Sequence, residues 1–284
     1  MPEPGISVAL CTYNGARYLA EQLESILTQS PQPGEIIICD DRSTDETVDI
    51  IKSFIKEYPG VIHLFINEET LHVKKNFEKA LRLCTGDVIF LSDQDDIWKP
   101  GKTEKISRYF KEHPEKNVVF TNAGLLENNT LIADTAWDKR DFNGAIKENC
   151  KDPTAMLQQL LLKWNIATGA TMALRKNALA RYLPFPAFQN YLHDHLLALQ
   201  AAVENSLGLL DECLIIYRMH PDQQIGFRKR QVPVLLLPFY RVLQITKKIL
   251  LNGKRRKEKR MIAAYLKKYT TESFPAGNAV LESV

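Results

Sequence analysis

Three carboxylates lie close together in the stretch IFLSDQDDIW, residues 89–98. Asp93, Asp95 and Asp96 follow an apolar run, where poor solvation increases the repulsion between like charges. A divalent cation would offset that repulsion, and oxygen ligands of this kind suit Mg²⁺ or Mn²⁺. The alternative is a solvated acidic turn that begins the next helix, and Asp96 is the member that fits such a capping role best.

Polar residues also follow the first two apolar runs of the chain. Tyr13 and Asn14 come after the first run, and Asp40 and Asp41 end the second. Tyr13 could stack on a nucleobase, although an aromatic residue at a strand end is otherwise usually part of the core. Asp41 could accept a hydrogen bond from a base or ribose, or it could cap the following helix, for which Asp45 is better placed.

Two further candidates for chemistry lie in the second half of the chain. Asp194 opens an apolar helix, so it is either a general base or a charge that the helix dipole favours. His220 and Arg218 end a strand-like run and could reach the same site as the acidic cluster, although a single histidine is more often structural. The neighbouring His193 and His195 are expected to pack or to lie on the surface.

These residues require elements that bring them together, and the hydrophobic pattern predicts such elements. In the first third of the chain, short apolar runs alternate with amphipathic stretches of helical period. Strands are predicted at 6–14, 35–41, 61–67 and 87–93, and helices at 16–29, 43–59 and 74–84. This alternation is typical of a mainly parallel sheet flanked by helices, in which ligands bind at the carboxyl ends of the strands. The polar clusters are therefore expected to converge in one crevice.

The second half is less regular. The same criteria predict strands at 118–126 and 207–220, helices at 152–164 and 192–204, and a strand running into a helix over 166–179.

Composition and motifs exclude several other classes of protein. At 284 residues, 45% hydrophobic and 25% charged, the chain has the composition of a globular protein. It contains no G-x-G-x-x-G loop, no P-loop and no G-x-S-x-G elbow, which weighs against NAD(P) enzymes, P-loop NTPases and serine hydrolases. The five cysteines are scattered, and the first residues lack a secretory signal. We therefore expect a reducing, cytoplasmic location.

The charge is distributed very unevenly along the chain. Residues 228–268 contain fourteen Lys and Arg but one acid, whereas the whole chain has a net charge of +3, so the rest is acidic. The apolar stretch 232–251 contains two prolines and three basic residues, which makes it a poor membrane-spanning helix. The segment would lie on an anionic membrane surface, or it would be a helix packed on the domain with a solvated basic face. Charge alone also permits nucleic-acid binding, but no recognition motif supports it, and we expect none.

Five motifs in this order resemble the family 2 inverting glycosyltransferases of GT-A fold. They read ISVALCTYNGARYLAEQLESIL, EIIICDDRSTDET, KNFEKALRLCTGDVIFLSDQDDIW, HDHLLAL and IIYRMHPDQQIG. The resemblance covers residues 6 to about 227 and is strongest to the branch of rhamnosyltransferase-like enzymes. It implies a GT-A domain over 1–227, with a nucleotide-sugar half at about 1–120 and an acceptor half at about 121–227. A basic, apolar-rich helical segment would follow at 228–284.

Position by position, the resemblance also implies roles for the candidate residues. The donor nucleotide sugar would contact Thr12, Tyr13, Asn14, Asp41, Asp93 and His220. Thr12 and Tyr13 would border the base, and Asp41 would accept from it. Asp95, with Asp93, would ligate a Mn²⁺ or Mg²⁺ ion bound to the diphosphate. Asp194 would deprotonate the acceptor hydroxyl.

The expected function is metal-dependent transfer of a sugar, from dTDP-rhamnose or a UDP-sugar, to a hydroxyl of a glycan or lipid-linked acceptor in bacterial polysaccharide synthesis. Two departures from the family pattern, Arg42 and His72, lie near the expected donor pocket. One alternative is a catalytically silent nucleotide-sugar-binding protein. The other is a phosphohydrolase of the haloacid-dehalogenase kind, which is disfavoured because its nucleophilic Asp usually follows the first strand. We expect the enzyme to be cytoplasmic and peripheral on the inner face of the plasma membrane.

Overall fold

The computed structural model describes residues 5–163, 165–221, 223 and 259–268, which form a mixed sheet covered by helices. The strands in chain order are β1 (Ile6–Thr12), β2 (Glu35–Asp40), β3 (Ile62–Ile66), β4 (Val88–Ser92), β5 (Ile97–Trp98), β6 (Val118–Glu127), β7 (Thr130–Thr135), β8 (Met172–Arg175) and β9 (Leu207–Met219). The helices are α1 (Ala16–Leu27), α2 (Thr47–Glu57), α3 (His72–Leu83), α4 (Lys102–Glu112), α5 (Gly144–Asn149), α6 (Pro153–Leu162), α7 (Leu179–Tyr182) and α8 (His193–Val203).

The first four strands form a parallel half-sheet in the order β3-β2-β1-β4. Successive residues of β1 face opposite sides of it, as strand geometry requires. Val8 and Leu10 belong to a core with Leu19 of α1, whereas Ala9 belongs to a second core with Phe77 of α3. Burial on both faces explains why these strands are continuous apolar runs. The predicted alternation of strands and helices is confirmed here.

Beyond β4 the sheet continues as β8-β6-β9-β5, with β7 paired to β6. β8 runs antiparallel to both of its neighbours, whereas β6 and β9 are parallel. The expected parallel sheet is thus parallel over its first four strands and mixed beyond them. An apolar run predicts a strand but not its direction, which depends on how the preceding connection reaches the sheet.

Several elements were not predicted from the sequence. Strand β5 has two residues and β7 is largely exposed, so neither gives an apolar run. Helices α4 and α5 also went unrecognised. The region 166–179 contains a 3₁₀ turn at Gly169–Thr171, the four-residue strand β8, another 3₁₀ turn and then α7. Its predicted strand is therefore shorter than expected, and the helix begins only at Leu179.

Part of the basic C-terminal segment packs against the helices that cover the sheet. Residues 259–268 are helical, and Ile262 and Leu266 are fully buried in the core that contains α8. The Tyr265 ring lies 5.8 Å from that of Phe188, and its hydroxyl accepts a hydrogen bond from Gln200. For these ten residues the packed-helix alternative describes the structure.

No helix within the described ranges has both the length and the apolar character needed to cross a membrane. The stretch 232–251, for which we predict a surface-lying segment, falls outside the described residues.

Candidate active site

The carboxyl ends of β1, β2 and β4 open into a crevice of about 400 Å³. It is lined by Cys11, Thr12, Tyr13, Asn14, Gly15, Arg17, Tyr18, Asp41, Val73, Asn76, Phe77, Asp93, Gln94, Asp95, Tyr217, His220 and Gln223. Every residue that the sequence resemblance assigns to donor or metal binding is therefore in one cavity. Asp194 is not part of this lining, but it is close enough for its charge to raise the pKa of Asp93.

The end of β1 presents two exposed residues, Tyr13 and Asn14, after the buried Thr12. Tyr13 is 45% exposed, so its ring is available to a ligand. The Thr12 hydroxyl instead donates to Asp40, at 2.7 Å, and is buried. Asn14 has a φ of 48°, and its Oδ1 accepts from the backbone N–H of Thr44 at 2.8 Å. Thr12 and Asn14 thus fix the shape of the turn that carries Tyr13.

Asp41 is held by three donors from the loop that leads into α3. Its carboxylate accepts from Asn67 Nδ2 at 2.8 Å, from the Leu71 N–H at 2.7 Å and from the His72 N–H at 2.9 Å. Asp41 therefore anchors the start of α3 rather than capping α2. Asp45 has the capping role predicted for it, because it accepts from the N–H groups of Ala16 and Thr47, which begin α1 and α2.

The acidic cluster after β4 divides into two partly buried positions, Asp93 and Asp95, and one fully buried position, Asp96. Asp95 Oδ2 lies 2.8 Å from His220 Nε2, which joins the cluster to the end of β9. Asp93 faces the crevice, and burial together with the charges of Asp95 and Asp194 raises its pKa to about 7. Asp96 is completely buried and accepts from the Arg218 N–H at 3.1 Å. The expected capping role of Asp96 is wrong, because its carboxylate points to β9 and α4 begins only at Lys102.

Two buried cations support this cluster from behind. The Arg218 side chain donates through Nε to the Asp95 carbonyl at 3.0 Å and stacks over Tyr18, 4.6 Å from the ring centre. Lys102 is fully buried, donates to the Ala170 carbonyl at 2.9 Å and lies over the Trp98 ring. Burial lowers the pKa of Lys102 to about 7, against the opposing effect of the nearby acids. Sequence reasoning missed Lys102, since nothing in a helical stretch marks one lysine as internal.

Gln94 connects the two strand ends that line the crevice. Its side chain accepts from the Tyr13 N–H at 2.8 Å and donates to the Tyr13 carbonyl at 3.0 Å. A Cβ on Gly15 would lie 2.3 Å from the Gln94 side chain, so only glycine leaves room for this contact. The sequence reasoning assigned no role to Gln94, although its place between two candidate ligands was a signal.

The donors of this crevice suit a cation that also binds a ligand. Among the described residues, no group of three or more His, Cys, Asp or Glu side chains could hold a metal by itself. Asp95 and His220 supply two adjoining donors, and Asp93 supplies a second carboxylate nearby. His220 Nδ1 is buried without a hydrogen-bond partner. Because Mg²⁺-type sites use one or two carboxylates and complete their shell with substrate phosphates, the donor set fits such an ion.

Asp194 lies in the first turn of α8 and is oriented by backbone donors. Its carboxylate accepts from the Gly169 N–H at 3.2 Å and from the His195 N–H at 2.6 Å. Burial raises its pKa to about 6, partly opposed by those hydrogen bonds and by the charge of Arg140. A carboxylate that is mainly ionised at neutral pH but more basic than usual is suited to accept a proton.

The histidines beside Asp194 pack, as expected. His193 is buried and stacks on Phe77, with ring centres 3.8 Å apart, and burial lowers its pKa to about 3. His195 bonds the Leu160 carbonyl at 2.8 Å. A residue that the sequence did not single out, Tyr217, lines the crevice, and burial together with the surrounding carboxylates raises its pKa.

A parallel half-sheet with a polar crevice at its carboxyl ends, followed by a mixed half that carries a candidate base, defines a GT-A type of transferase architecture. The family profile described as Glycosyl transferase family 2 matches residues 7–183. The chain therefore belongs to glycosyl transferase family 2, which confirms the resemblance seen in its motifs.

Individual relatives agree with this membership. The dTDP-rhamnosyl transferase RfbG of Shigella flexneri is 28% identical over 229 residues, covering 76% of this chain and 73% of that protein. EpsE of Bacillus subtilis is 38% identical over 118 residues, or 42% of either chain. An uncharacterized glycosyltransferase of Nostoc is 27% identical over 76% of this chain, which spans 65% of that protein. The chain thus spans less than two thirds of the latter two relatives.

The fold has solved counterparts as well. The crystal structure of S. aureus TarS residues 1–349 in complex with UDP-GlcNAc has a TM-score of 0.59 and 18% sequence identity to this chain. The match covers 96% of this chain and 74% of that one. At this level of identity the likeness establishes the fold.

Proposed function

We propose that this chain is an inverting glycosyltransferase that moves a sugar from a nucleoside-diphosphate sugar to a hydroxyl of a glycan or lipid-linked acceptor. The observation that carries the proposal is the convergence of Tyr13, Asp41, Asp93, Asp95 and His220 on one crevice. This crevice combines an exposed aromatic ring for a base with clustered metal-type donors for a diphosphate.

Asp95 would hold a Mn²⁺ or Mg²⁺ ion, assisted by Asp93 and by His220. When bound, such an ion supplies positive charge that stabilises the departing diphosphate. The chain's own residues prepare this position: Arg218 fixes the backbone at Asp95, and Gln94 fixes the distance to Tyr13. The acidic repulsion in the cluster supports a cationic occupant, since burial already makes Asp93 reluctant to ionise.

Asp194 would take the proton from the acceptor hydroxyl. Its raised pKa gives it the basicity required, and the Gly169 and His195 N–H groups orient it. Attack by the deprotonated hydroxyl on the anomeric carbon, opposite the departing diphosphate, inverts that carbon in one displacement. No covalent nucleophile is needed for this route.

For the donor we propose a pyrimidine nucleoside diphosphate sugar, with dTDP-rhamnose ahead of a UDP-sugar. RfbG, named a dTDP-rhamnosyl transferase, is similar over most of both chains, whereas the UDP-GlcNAc complex belongs to the more distant TarS. Assembly of a bacterial cell-surface polysaccharide is the corresponding process. Arg42 and His72 both have positive φ, 68° and 59°, next to Asp41 and to the loop it binds. These two residues, which depart from the family pattern, would therefore lie near the nucleobase of the donor.

The test is thermal unfolding of the chain with UDP, GDP and dTDP sugars, with and without Mn²⁺. We expect stabilisation by a pyrimidine nucleotide sugar that requires the metal and is lost in Asp95→Ala. Asp49→Ala, which removes an exposed carboxylate of α2, is the matched control and should behave like the native chain. Equal stabilisation by every phosphate compound without metal dependence would contradict the proposal.

Both alternative functions are less well supported. In a haloacid-dehalogenase-like phosphohydrolase the acidic motif would follow the first strand, whereas here it follows β4, and the chain belongs to a different family. A silent binding protein would have no use for an oriented carboxylate of raised pKa at Asp194.

We also propose that residues 228–258 of the basic segment bring the enzyme to the inner, anionic surface of the plasma membrane. The supporting observation is the charge contrast within the sequence. Residues 259–268, the part of the segment that comes next, are fixed to the body of the enzyme, so residues 228–258 would be attached to that body at both ends.

A further inference from the structure

A second, larger groove lies on the other side of α3 from the core. It has a volume of about 1010 Å³ and runs between the outer face of α3 and the loop 184–192. Val73 lines both this groove and the donor crevice, and Leu192, two residues before Asp194, lines its other wall. The groove therefore lies next to both the donor site and the candidate base, yet none of the assigned catalytic residues uses it.

One wall of the groove is a cationic stripe, which we define as Lys75, Lys79 and Arg82, and His72 precedes it on the same helix. These residues recur at intervals of three and four along α3, so they share one helix face. All four line the groove. Glu78 is the one carboxylate among the lining residues. The stripe is therefore a strongly positive surface that would attract an anion.

The opposite wall is apolar and firmly built. Lys74 Nζ donates to the carbonyls of Pro186 at 3.0 Å and Phe188 at 2.6 Å. Glu78 accepts from the Phe185 N–H at 3.0 Å. These contacts use Lys74 and Glu78 to hold the loop against α3, and they leave Phe185, Phe188 and Leu192 along the groove.

The members of the stripe differ in how much they are already engaged. Lys79 donates to Asn67, at 2.8 Å, and Arg82 pairs with Glu78 at 2.8 Å. Among the described residues Lys75 has no such ion-pair or hydrogen-bond contact, and it is exposed at the start of the stripe. Lys75 is accordingly the cation that a ligand could bind without breaking an existing contact.

We propose that this groove binds the acceptor and that the acceptor is an amphiphile, a phosphate group carried on a hydrocarbon chain. This rests on the proposed glycosyltransferase function. The phosphate lies on the cationic stripe with Lys75 as its main contact, and the chain lies against Phe185 and Phe188. A carbohydrate attached to that phosphate then extends past Val73 and Leu192 toward Asp194. An uncharged glycan would leave the cationic stripe without an anion, and a free anion would leave the apolar wall without a partner.

The probe is farnesyl diphosphate, whose binding to the full-length protein is measured by titration calorimetry in EDTA. Removing divalent ions suppresses competition from the donor crevice. We expect Lys75→Glu to weaken binding by about tenfold or more, since it replaces a charge-assisted contact by repulsion. Lys111→Glu makes the same charge change on an exposed position of α4 and should leave binding unchanged. Farnesol should bind at least about tenfold more weakly than the diphosphate.

Several results would overturn the proposal. Equal binding by the native chain and Lys75→Glu would remove the stripe as the site, and displacement by dTDP would place the probe in the donor crevice. If inorganic diphosphate bound as tightly as farnesyl diphosphate, a free anion would be enough for binding and the hydrocarbon chain would contribute nothing. If Lys75→Glu abolished flotation with phosphatidylglycerol vesicles, the stripe would be a binding surface for anionic membrane lipid and not for an acceptor.

The same variant separates this inference from the function on which it rests. Lys75→Glu should keep the metal-dependent stabilisation by a nucleotide sugar. If farnesyl diphosphate fails to bind while that stabilisation persists, the groove proposal falls and the donor chemistry stands.

Discussion

The two carboxylates at the centre of the proposed chemistry, Asp93 and Asp194, differ in what surrounds them. The pKa of Asp93 is raised by burial and by the charges of two other carboxylates, so a bound cation would favour its ionised form. The pKa of Asp194 is raised mainly by burial, whereas hydrogen bonds from two backbone N–H groups and the charge of Arg140 lower it. The environment thus favours metal binding at the first carboxylate and proton acceptance at the second, although both are aspartates.

At the residue scale, this difference predicts how transfer depends on pH. With saturating Mn²⁺ and donor, kcat/KM should fall as pH decreases through about 6, because Asp194 becomes protonated there. Asp194→Asn should lower the rate by about a hundredfold or more, and it should retain donor-induced stabilisation. A rate that stays constant between about pH 5 and 8, or an active Asn variant, would remove Asp194 as the base.

The effect of Asp194 on the stability of the fold would not lower the rate at low pH. Because its pKa is higher in the folded than in the unfolded chain, its contribution to stability is fully present below about pH 4 and is lost as pH rises through about 6. Lower pH therefore favours the folded state through this group, so titration of Asp194 does not unfold the protein where the activity is expected to fall.

At the scale of elements, distant strands and helices hold the site in place. Strand β9 supplies Arg218 and His220 to a loop more than a hundred residues earlier in the chain. Helix α8 supplies Asp194, and its core is shared with the helix at 259–268, through Ile262 and Leu266. The end of the basic segment thus forms part of the core that supports the candidate base.

The helix at 259–268 provides a test with a built-in control. Ile262→Ala should lower the free energy of unfolding by about 3 kcal/mol, because a fully buried side chain leaves a cavity. Met261→Ala changes the adjacent residue, which is 50% exposed, and should cost less than about 0.5 kcal/mol. Chemical denaturation of both variants gives the comparison. Equal, small effects would mean that this helix does not contribute to the core in solution.

At the scale of the whole molecule, the chain combines an acidic body with a basic C-terminal segment. Each cation close to an anionic membrane contributes about 1 kcal/mol of attraction, which falls with salt. Deleting the whole segment would also remove Ile262 and Leu266 from the core. Neutralising charges is therefore the cleaner way to test membrane binding.

We expect the full-length protein to float with vesicles that contain phosphatidylglycerol and to remain behind with neutral vesicles. Replacing Lys254, Arg255, Arg256 and Lys257 by Gln should reduce flotation strongly. Neutralising three exposed lysines of the body, Lys52, Lys56 and Lys111, should have little effect. Flotation that is equal in both variants, or absent in the native chain, would contradict membrane association through the segment.

The local pattern of residues was enough to predict which chemical groups are present and at which strand and helix ends they lie. Continuous apolar runs and helical periods are local signals, so the first four strands, α8 and β9 could be predicted, and with them Tyr13, Asp41, Asp93 and Asp194 at their ends. The order of these motifs also sufficed for the family.

Which of these groups meet, and how their pKa values shift, depends on the packing of distant elements. The Asp95–His220 contact, the burial of Asp96 under Arg218 and the position of Lys102 behind the cluster all join residues from different elements. The direction of β8 and the groove along α3 were likewise set by connections between elements. The physical reason is that a pKa, a cation site or a groove depends on neighbours in space. The local pattern of a sequence does not specify those neighbours.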